Sequence, residues 1–360
     1  MTPVNILAVV GARPNFMKMA PILRAIADKA PDSVQTLVHT GQHFDERMSD
    51  VFFRELELPK PDEHLGVSGG SHATQTARIM TEFEPVLERH QPDWMVVVGD
   101  VNSTMACSLV AAKMHVPIAH VEAGLRSRDN TMPEEINRKV TDAISNLLLT
   151  PSPDGDENLL AEGVERERIV CVGNVMIDSL VRALPKIETN DTIERLGLQP
   201  NGYVLATLHR PSNVDDPSML RQLVEALNVV AGTQTVVFPV HPRTRARLER
   251  EQIQLADGIQ MIDPLGYFDF MALMRSADVV MTDSGGVQEE TTYLGVTCLT
   301  VRPNTERPIT IDQGTNRLVQ PGKETLLAAW EDVKQSPPEK RCPELWDGKA
   351  AERIAAALLK

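Results

Sequence analysis

Apolar residues along the chain gather into short unbroken runs separated by longer amphipathic stretches. The first series lies at residues 4–10, 34–39, 94–98, 118–121, 147–150 and 169–172. A second lies at 204–208, 235–240, 260–262, 279–282 and 297–301. Helical periodicity fills most of the gaps, for example at 72–89, 103–114, 134–146 and 219–230. Strands alternating with helices predict parallel sheets. The strands read as continuous apolar runs because helices cover both faces of such sheets.

The stretch 184–202 has no strong apolar strand and contains Pro185, Thr189-Asn190-Asp191 and Pro200-Asn201-Gly202. It reads as the passage between two Rossmann-like halves. A final helix is expected at 349–360, set off by Pro337, Pro338 and Pro343. The expected domains are 1–182 plus 347–360 and 183–346. A chain of 360 residues is long enough for two such cores.

Composition then narrows the function. Fifty acidic residues against 36 basic ones give a net charge of −14. That disfavours nucleic acid and anionic lipid as partners. It leaves room for a small anion, because a few arginines in one cleft reverse the local field. Cys107, Cys171, Cys298 and Cys342 lie far apart, so a disulfide framework or thiolate zinc site is not expected and a reducing cytoplasm fits. The first apolar run ends in Gly11-Ala12-Arg13 and reads as a strand, not a leader. No run approaches a membrane span.

Ligands of open α/β sheets sit beyond the carboxyl ends of the strands, so the residues there carry the candidate chemistry. Gly11-Ala12-Arg13-Pro14-Asn15-Phe16-Met17-Lys18 follows the first strand and offers two cations to an anion. Gly-x-Gly-x-x-Gly and Walker A motifs are absent, which disfavours a bound dinucleotide or an NTPase. Asp100 follows the third strand, with Asn102 or Ser103 expected to cap the next helix. His120-Val121-Glu122 follows the fourth, without the Pro-Cys-x-x-Cys of zinc deaminases. Pro133-Glu134-Glu135 opens a helix on which Glu134 and Arg138 share a face, and Glu135 with Lys139 reads as a surface ion pair. His39 and His43 do not share a helix face, so no metal site is expected.

In the second half, His209-Arg210 and His241-Pro242-Arg243 each follow a strand. Thr282-Asp283-Ser284-Gly285-Gly286 ends another strand and opens a helix. Bare glycine amides at a helix N-terminus form a phosphate site. Glu290 lies one turn on from Gly286, within reach of a ribose. Arg302 and Arg307 follow the next strand and are expected to close on the same diphosphate. A nucleoside diphosphate held by the second half, facing acids from the first, suits a sugar nucleotide.

Taken together these motifs resemble the non-hydrolysing UDP-N-acetylglucosamine 2-epimerases. The matching residues run in the family's order from Gly11-Ala12-Arg13-Pro14 through Thr40-Gly41-Gln42-His43, Gly99-Asp100 and His120 to Arg126. They continue through Pro133 to Arg138, Gly173 to Asp178, His209-Arg210, Pro239-Val240-His241, Thr282 to Glu290 and Thr305 to Pro308. The resemblance implies an α/β fold of two Rossmann-like domains facing across a cleft, of the GT-B type, with the C-terminal helix crossing back to the first domain. It implies reversible epimerisation of UDP-GlcNAc to UDP-ManNAc, by elimination of UDP and re-addition through a 2-acetamidoglucal, without a cofactor or metal.

By the same resemblance Asp100, Glu122 and Glu134 are the catalytic carboxylates, and His209 stands near the departing diphosphate. Ser284, Gly285, Gly286, Arg13, His241 and Arg307 match phosphate contacts. Glu290 matches the ribose ligand, Phe270 the uracil neighbour, and Lys18 and Arg138 line the sugar and diphosphate region. Gln42 and His43 match a region where some bacterial members hold a second UDP-GlcNAc as activator. A homodimer is implied. The chain departs from the family pattern at Asn15-Phe16 and Pro211-Ser212.

The alternatives are an epimerase of a related UDP-2-acetamido sugar, such as a 2,3-diacetamido sugar, and a hydrolysing 2-epimerase. The hydrolysing relatives carry His-Gly-Gly-Glu where this chain has Val121-Glu122-Ala123-Gly124. A glycosyltransferase of the same fold would not need the three amino-half carboxylates.

Overall fold

A computed structural model describes residues 3–41 and 60–360. The chain divides into two compact units, Met1–Val181 with Glu344–Lys360, and Arg182–Pro343. Each is built around one parallel sheet.

Among the described residues the first sheet has seven strands: β1 (Asn5–Val10), β2 (Val34–His39), β3 (Glu63–His64), β4 (Trp94–Val98), β5 (Ile118–Val121), β6 (Leu147–Thr150) and β7 (Ile169–Cys171). Their order is β3-β2-β1-β4-β5-β6-β7. The second has six: β8 (Tyr203–Thr207), β9 (Thr235–Pro239), β10 (Ile259–Ile262), β11 (Val279–Thr282), β12 (Thr297–Val301) and β13 (Asn316–Val319). Their order is β10-β9-β8-β11-β12-β13. Every pairing is parallel, so the α/β class with two Rossmann-like domains holds. Strand order reverses between β1 and β4 and again between β8 and β11. A ligand crevice opens at such reversals.

Alternate residues of each strand fill opposite layers. Ile6, Ala8 and Val10 pack with Val96 and Val98 against the helices Arg13–Lys29 and Ala350–Leu358. Leu7 and Val9 pack with Met95 and Val97 against the helices His72–His90 and Asn102–Lys113. The last helix is fastened within this unit by Asp178, whose carboxylate accepts hydrogen bonds from the amides of Ala350 (3.1 Å) and Ala351 (2.7 Å). In the second unit Val204, Phe238, Met281 and Leu299 are buried together with Leu223, Leu227 and Trp330 of flanking helices.

Three expectations need amendment. The passage at 184–202 is partly helical: Val175–Glu188 runs through it, with Pro185 inside, and Thr192–Arg195 adds one turn. The edge strands β3 and β13 were not anticipated. The helix after β4 is capped at Val101, with no side-chain cap bond. Asn102 instead bonds Gln75 (2.8 Å) and Ser103 bonds Thr40 (2.7 Å).

Candidate active site

At the first reversal, the loop after β1 is tied to the end of β4 by one side chain. Asn15 Oδ1 accepts from the amides of Gly11 (3.3 Å) and Ala12 (2.9 Å), while Nδ2 donates to the Val98 carbonyl (2.9 Å). Arg13 opens the helix Arg13–Lys29. One turn along, the Lys18 ammonium forms a buried ion pair with Glu122. Glu122 follows β5 with a left-handed backbone (φ +71°), which costs a non-glycine residue on the order of 1–3 kcal/mol and clusters at functional sites. A Cβ on Gly99 would stand 3.3 Å from Glu122 Oε2 and 3.6 Å from Lys18 Nζ. A side chain at this position would crowd the pair, and the left-handed backbone of Gly99 (φ +67°) itself favours glycine.

Asp100, next to Gly99, pairs with Arg138. Its own carbonyl accepts from Asn137 Nδ2 (2.8 Å). Arg138 is buried, and its Nη2 also donates to Glu135 Oε2 (2.8 Å). Glu135 corrects the surface-pair expectation, because it is fully buried. It accepts from Ser127 N (2.8 Å), Ser127 Oγ (3.0 Å) and Arg128 N (3.1 Å). Burial opposes its charge, but Arg138 and the Ser127 bonds outweigh it and bring the carboxyl down to about 2. Lys139 stands only at the rim, 3.7 Å away. Glu134, half-buried in the first turn of the helix Pro133–Ile144, has no hydrogen-bond or ion-pair partner among the described residues.

Beneath this edge lies a buried polar layer. His120 meets an acceptor at each ring nitrogen, Asp142 Oδ1 at 2.6 Å and the Gly99 carbonyl at 2.8 Å. Asp142 also receives Arg126 Nη1 (2.7 Å) and the Gly124 amide (3.1 Å). Burial works against its charge, yet His120 and Arg126 hold it below the usual carboxylate range. At the end of β2, His39 stacks between Phe16 (5.1 Å) and His64 (4.6 Å). Burial, then His64, pushes its pKa down to about 4. Gln42 and His43 lie outside the described residues.

The second reversal is organised by Asp283, which is fully buried. Its carboxylate accepts from the amides of His209 (3.0 Å) and Arg210 (2.9 Å), from Asn213 Nδ2 (3.1 Å) and from His209 Nδ1 (2.8 Å). Burial again opposes the charge, and the His209 bonds hold the acid low. His241 caps the helix Pro242–Arg250 by accepting Arg243 N at Nδ1 (3.2 Å), and its ring centroid lies 6.3 Å from that of His209. Burial, then His209 and Arg243, lowers its pKa.

Ser284 is the N-cap of the helix Gly285–Leu294 and makes no side-chain cap bond. Nothing lies within 4 Å of where a Cβ on Gly286 would be. The Ser284 amide already donates to Thr282 Oγ1 (3.0 Å), which leaves the backbone of Gly285 and Gly286 at a helix N-terminus, a position that favours an anion. A Cβ on Gly285 would stand 3.1 Å from Arg307 Nη1. Arg307 thus borders the same turn, but it is already bound by Glu306 (2.5 Å) and Glu289 (2.8 Å). Arg302 is buried against Glu306 (2.8 Å). The two guanidiniums hold the buried Glu306 well below its ordinary pKa against the cost of burial. Both arginines are therefore part of an internal cluster and not open cations. Glu290 is buried on the same helix as Gly286. Phe270 is half-buried on the helix Tyr267–Arg275, which packs on Gly285–Leu294.

Sequence reasoning singled out neither Asn15, Asp283, His120 nor Asp142 as an organiser of these edges. For Asn15, His120 and Asp283 the available signal was positional, since each sits at or just beyond a strand end; Asp142, inside the helix Pro133–Ile144, carried none. Among the described residues no cluster of three or more metal-ligating groups is present, and no helix is long and apolar enough to cross a membrane. No disulfide joins any of the four cysteines.

Comparison with known proteins adds to this geometry. A family model described as UDP-N-acetylglucosamine 2-epimerase matches residues 26–359. The UDP-N-acetylglucosamine 2-epimerase of Methanocaldococcus jannaschii is 40% identical over 359 residues, covering 97% of each chain. The UDP-2,3-diacetamido-2,3-dideoxy-D-glucuronate 2-epimerase of Pseudomonas aeruginosa is 41% identical over 360 residues, covering 99% of each. A crystal structure of the M. jannaschii UDP-GlcNAc 2-epimerase in complex with UDP-GlcNAc and UDP matches with a TM-score of 0.90 at 39% identity, covering 99% of each chain.

Proposed function

The chain belongs to the UDP-N-acetylglucosamine 2-epimerase family, and from that premise we propose that it interconverts UDP-GlcNAc and UDP-ManNAc without releasing the free sugar. The observation that carries this reading is the pair of carboxylates at the edge of the first sheet, each held by a buried cation: Glu122 by Lys18 and Asp100 by Arg138. Such pairing keeps a carboxylate ionised and aimed, as proton transfer at a sugar carbon requires.

C2 of the sugar has no neighbouring carbonyl, so its proton is not acidic in the ground state. Breaking the C1–O bond first develops positive charge at C1 and acidifies C2–H. A carboxylate takes that proton, the C–H electrons form the C1=C2 double bond, and UDP departs with the C1–O electrons. The products of this half-reaction are 2-acetamidoglucal and UDP. Re-addition of UDP at C1, with a proton delivered to the opposite face of C2, gives the epimer. Asp100, Glu122 and Glu134 are the groups assigned to these proton transfers. His209 and His241 support the departing diphosphate. Ser284, Gly285 and Gly286 cradle it, the two glycines with their backbone amides. Arg13 and Arg307 are assigned to phosphate contacts by the family match, Arg307 while paired with Glu306 and Glu289. Lys18 and Arg138 hold Glu122 and Asp100, Glu290 takes the ribose and Phe270 lies beside the uracil. The reaction is redox-neutral overall and calls on no cofactor. The same reading makes the protein a cytoplasmic homodimer with Gln42 and His43 as candidate activator contacts.

A second reading is favoured by the relative acting on the diacetamido glucuronate, whose identity of 41% matches that of the UDP-GlcNAc enzyme at 40%. The two are separated by comparing kcat/KM on both sugar nucleotides, with products resolved by ion-exchange chromatography. The proposal requires the larger value on UDP-GlcNAc and UDP-ManNAc as the product. A larger value on the diacetamido sugar would transfer the assignment to that substrate. Free ManNAc would place the chain with the hydrolysing enzymes.

A further inference from the structure

We infer that Asp283 is the positioning residue for His209, fixing the ring through Nδ1 so that Nε2 is the atom presented to the leaving diphosphate. Its activity arm rests on the epimerase reading above; its structural arm does not. The two oxygens of Asp283 divide the work. Oδ2 accepts from three donors, the amides of His209 (3.0 Å) and Arg210 (2.9 Å) and Asn213 Nδ2 (3.1 Å). Oδ1 accepts from His209 Nδ1 at 2.8 Å and shares the His209 amide with Oδ2, at 3.1 Å. A carboxylate only accepts, so Nδ1 carries a proton and donates. Nε2 has no partner among the described residues, and 43% of the His209 side chain is exposed. The ring is thus anchored at one nitrogen and open at the other, as in catalytic Asp–His pairs generally.

The other charged groups nearby do not compete for Nδ1. Arg210 directs its Nε to the Asp283 carbonyl (3.0 Å), Arg243 is paired with Asp215, and His241 uses its Nδ1 for the Arg243 amide. Asp283 also joins the two strand ends at the reversal, since it follows β11 while His209 follows β8, the neighbouring strand. The residue that shapes this crevice is therefore also the one that aims the imidazole.

The D283N variant separates the two roles. With three donors around Oδ2, the amide oxygen stays there and the amide nitrogen takes the Oδ1 position. That nitrogen is a donor, so His209 Nδ1 must become the acceptor and the proton moves to Nε2. The test is long-range ¹H–¹⁵N NMR of the histidine-labelled full-length protein without ligand, the His209 signals being assigned by their loss in H209Q. The wild type is expected to show its neutral ring protonated at Nδ1, and D283N at Nε2. With Nδ1 donating to Asp283, the ring can donate from Nε2 to the diphosphate only as the imidazolium, which the carboxylate stabilises and the D283N amide does not. On UDP-GlcNAc, or the diacetamido sugar if that proves the substrate, kcat of D283N is therefore expected to fall about 10²–10⁴-fold, the usual contribution of such a group, with UDP affinity little changed. D283N in the H209Q background should cost nothing further. An Nε2-protonated wild-type ring, or an additive loss in the double variant, overturns the inference. Absence of epimerase activity on either sugar leaves the wild-type tautomer as the deciding result and counts against the epimerase reading alone.

Discussion

Replacing Glu135 with glutamine tests the buried clasp that holds Arg138 against Asp100. The carboxylate accepts five hydrogen bonds, from Ser127 N and Oγ, Arg128 N, and Arg138 Nε and Nη2. Its pKa is brought from 4.5 to about 2. A drop of that size, at about 1.4 kcal/mol per unit, corresponds to roughly 3 kcal/mol of stability. The sign follows from the direction. A lowered acid contributes fully above its unfolded pKa of 4.5 and loses that contribution as pH falls through about 2. The penalty of E135Q is therefore expected at roughly 3 kcal/mol near about pH 7 and at less than half of that near about pH 3. Urea unfolding followed by tryptophan fluorescence provides the assay. In a W330F background the two remaining tryptophans, Trp94 and Trp346, both report on the first unit. A penalty below about 1 kcal/mol near pH 7, or one that does not shrink on acidification, would refute the assignment of Glu135 as a charge-bearing clasp.

Asp178 behaves with the opposite sign: burial raises its pKa from 3.8 to about 6, against the bonds from Ala351 and Ala350. Its contribution is present below its unfolded pKa and is lost as pH rises through about 6. The wild type should therefore lose roughly 3 kcal/mol relative to D178N between about pH 4 and pH 7, as read by parallel urea titrations. G124A drives a Cβ into the Gly155 carbonyl oxygen, 2.8 Å from its carbon, at a residue with φ +81°. It is expected to cost on the order of 2–3 kcal/mol, seen as a lowered Tm. D100N keeps the volume but removes the charge facing Arg138. Turnover should fall by at least ~10³-fold while UDP affinity by calorimetry stays within about twofold, because the ribose, uracil and glycine-turn contacts are assigned to the second unit. Unchanged turnover would remove Asp100 from the proton-transfer set.

The strands were legible because burial on both faces leaves no alternation to misread. β2, β4, β5, β6, β11 and β12 start and stop where their apolar runs do. β3 was not, because two residues, Glu63-His64, carry no periodicity. β13 reads Asn316-Arg317-Leu318-Val319, and its polar first half disguises it. The strand-end motifs marked where polar chemistry gathers, but not which groups meet. Lys18 and Glu122 are 104 positions apart. Their pairing depends on strand order, which the residues themselves do not announce. Glu135 looked like half of an i,i+4 surface pair because Lys139 stands at the right interval. Its burial comes from the loop at Ser127–Arg128, whose amides no side-chain pattern announces. Asp283 was visible within a motif, yet its hold on His209 needs the adjacency of β8 and β11.

The central claim is elimination and re-addition at C1–C2 of an intact sugar nucleotide. Proton NMR of the purified protein with UDP-GlcNAc in D2O tests it most directly. The account predicts UDP-ManNAc bearing deuterium at C2, with deuterium also entering C2 of the UDP-GlcNAc pool. UDP-ManNAc retaining its C2 proton, free ManNAc with UDP, or unchanged UDP-GlcNAc without exchange would contradict it.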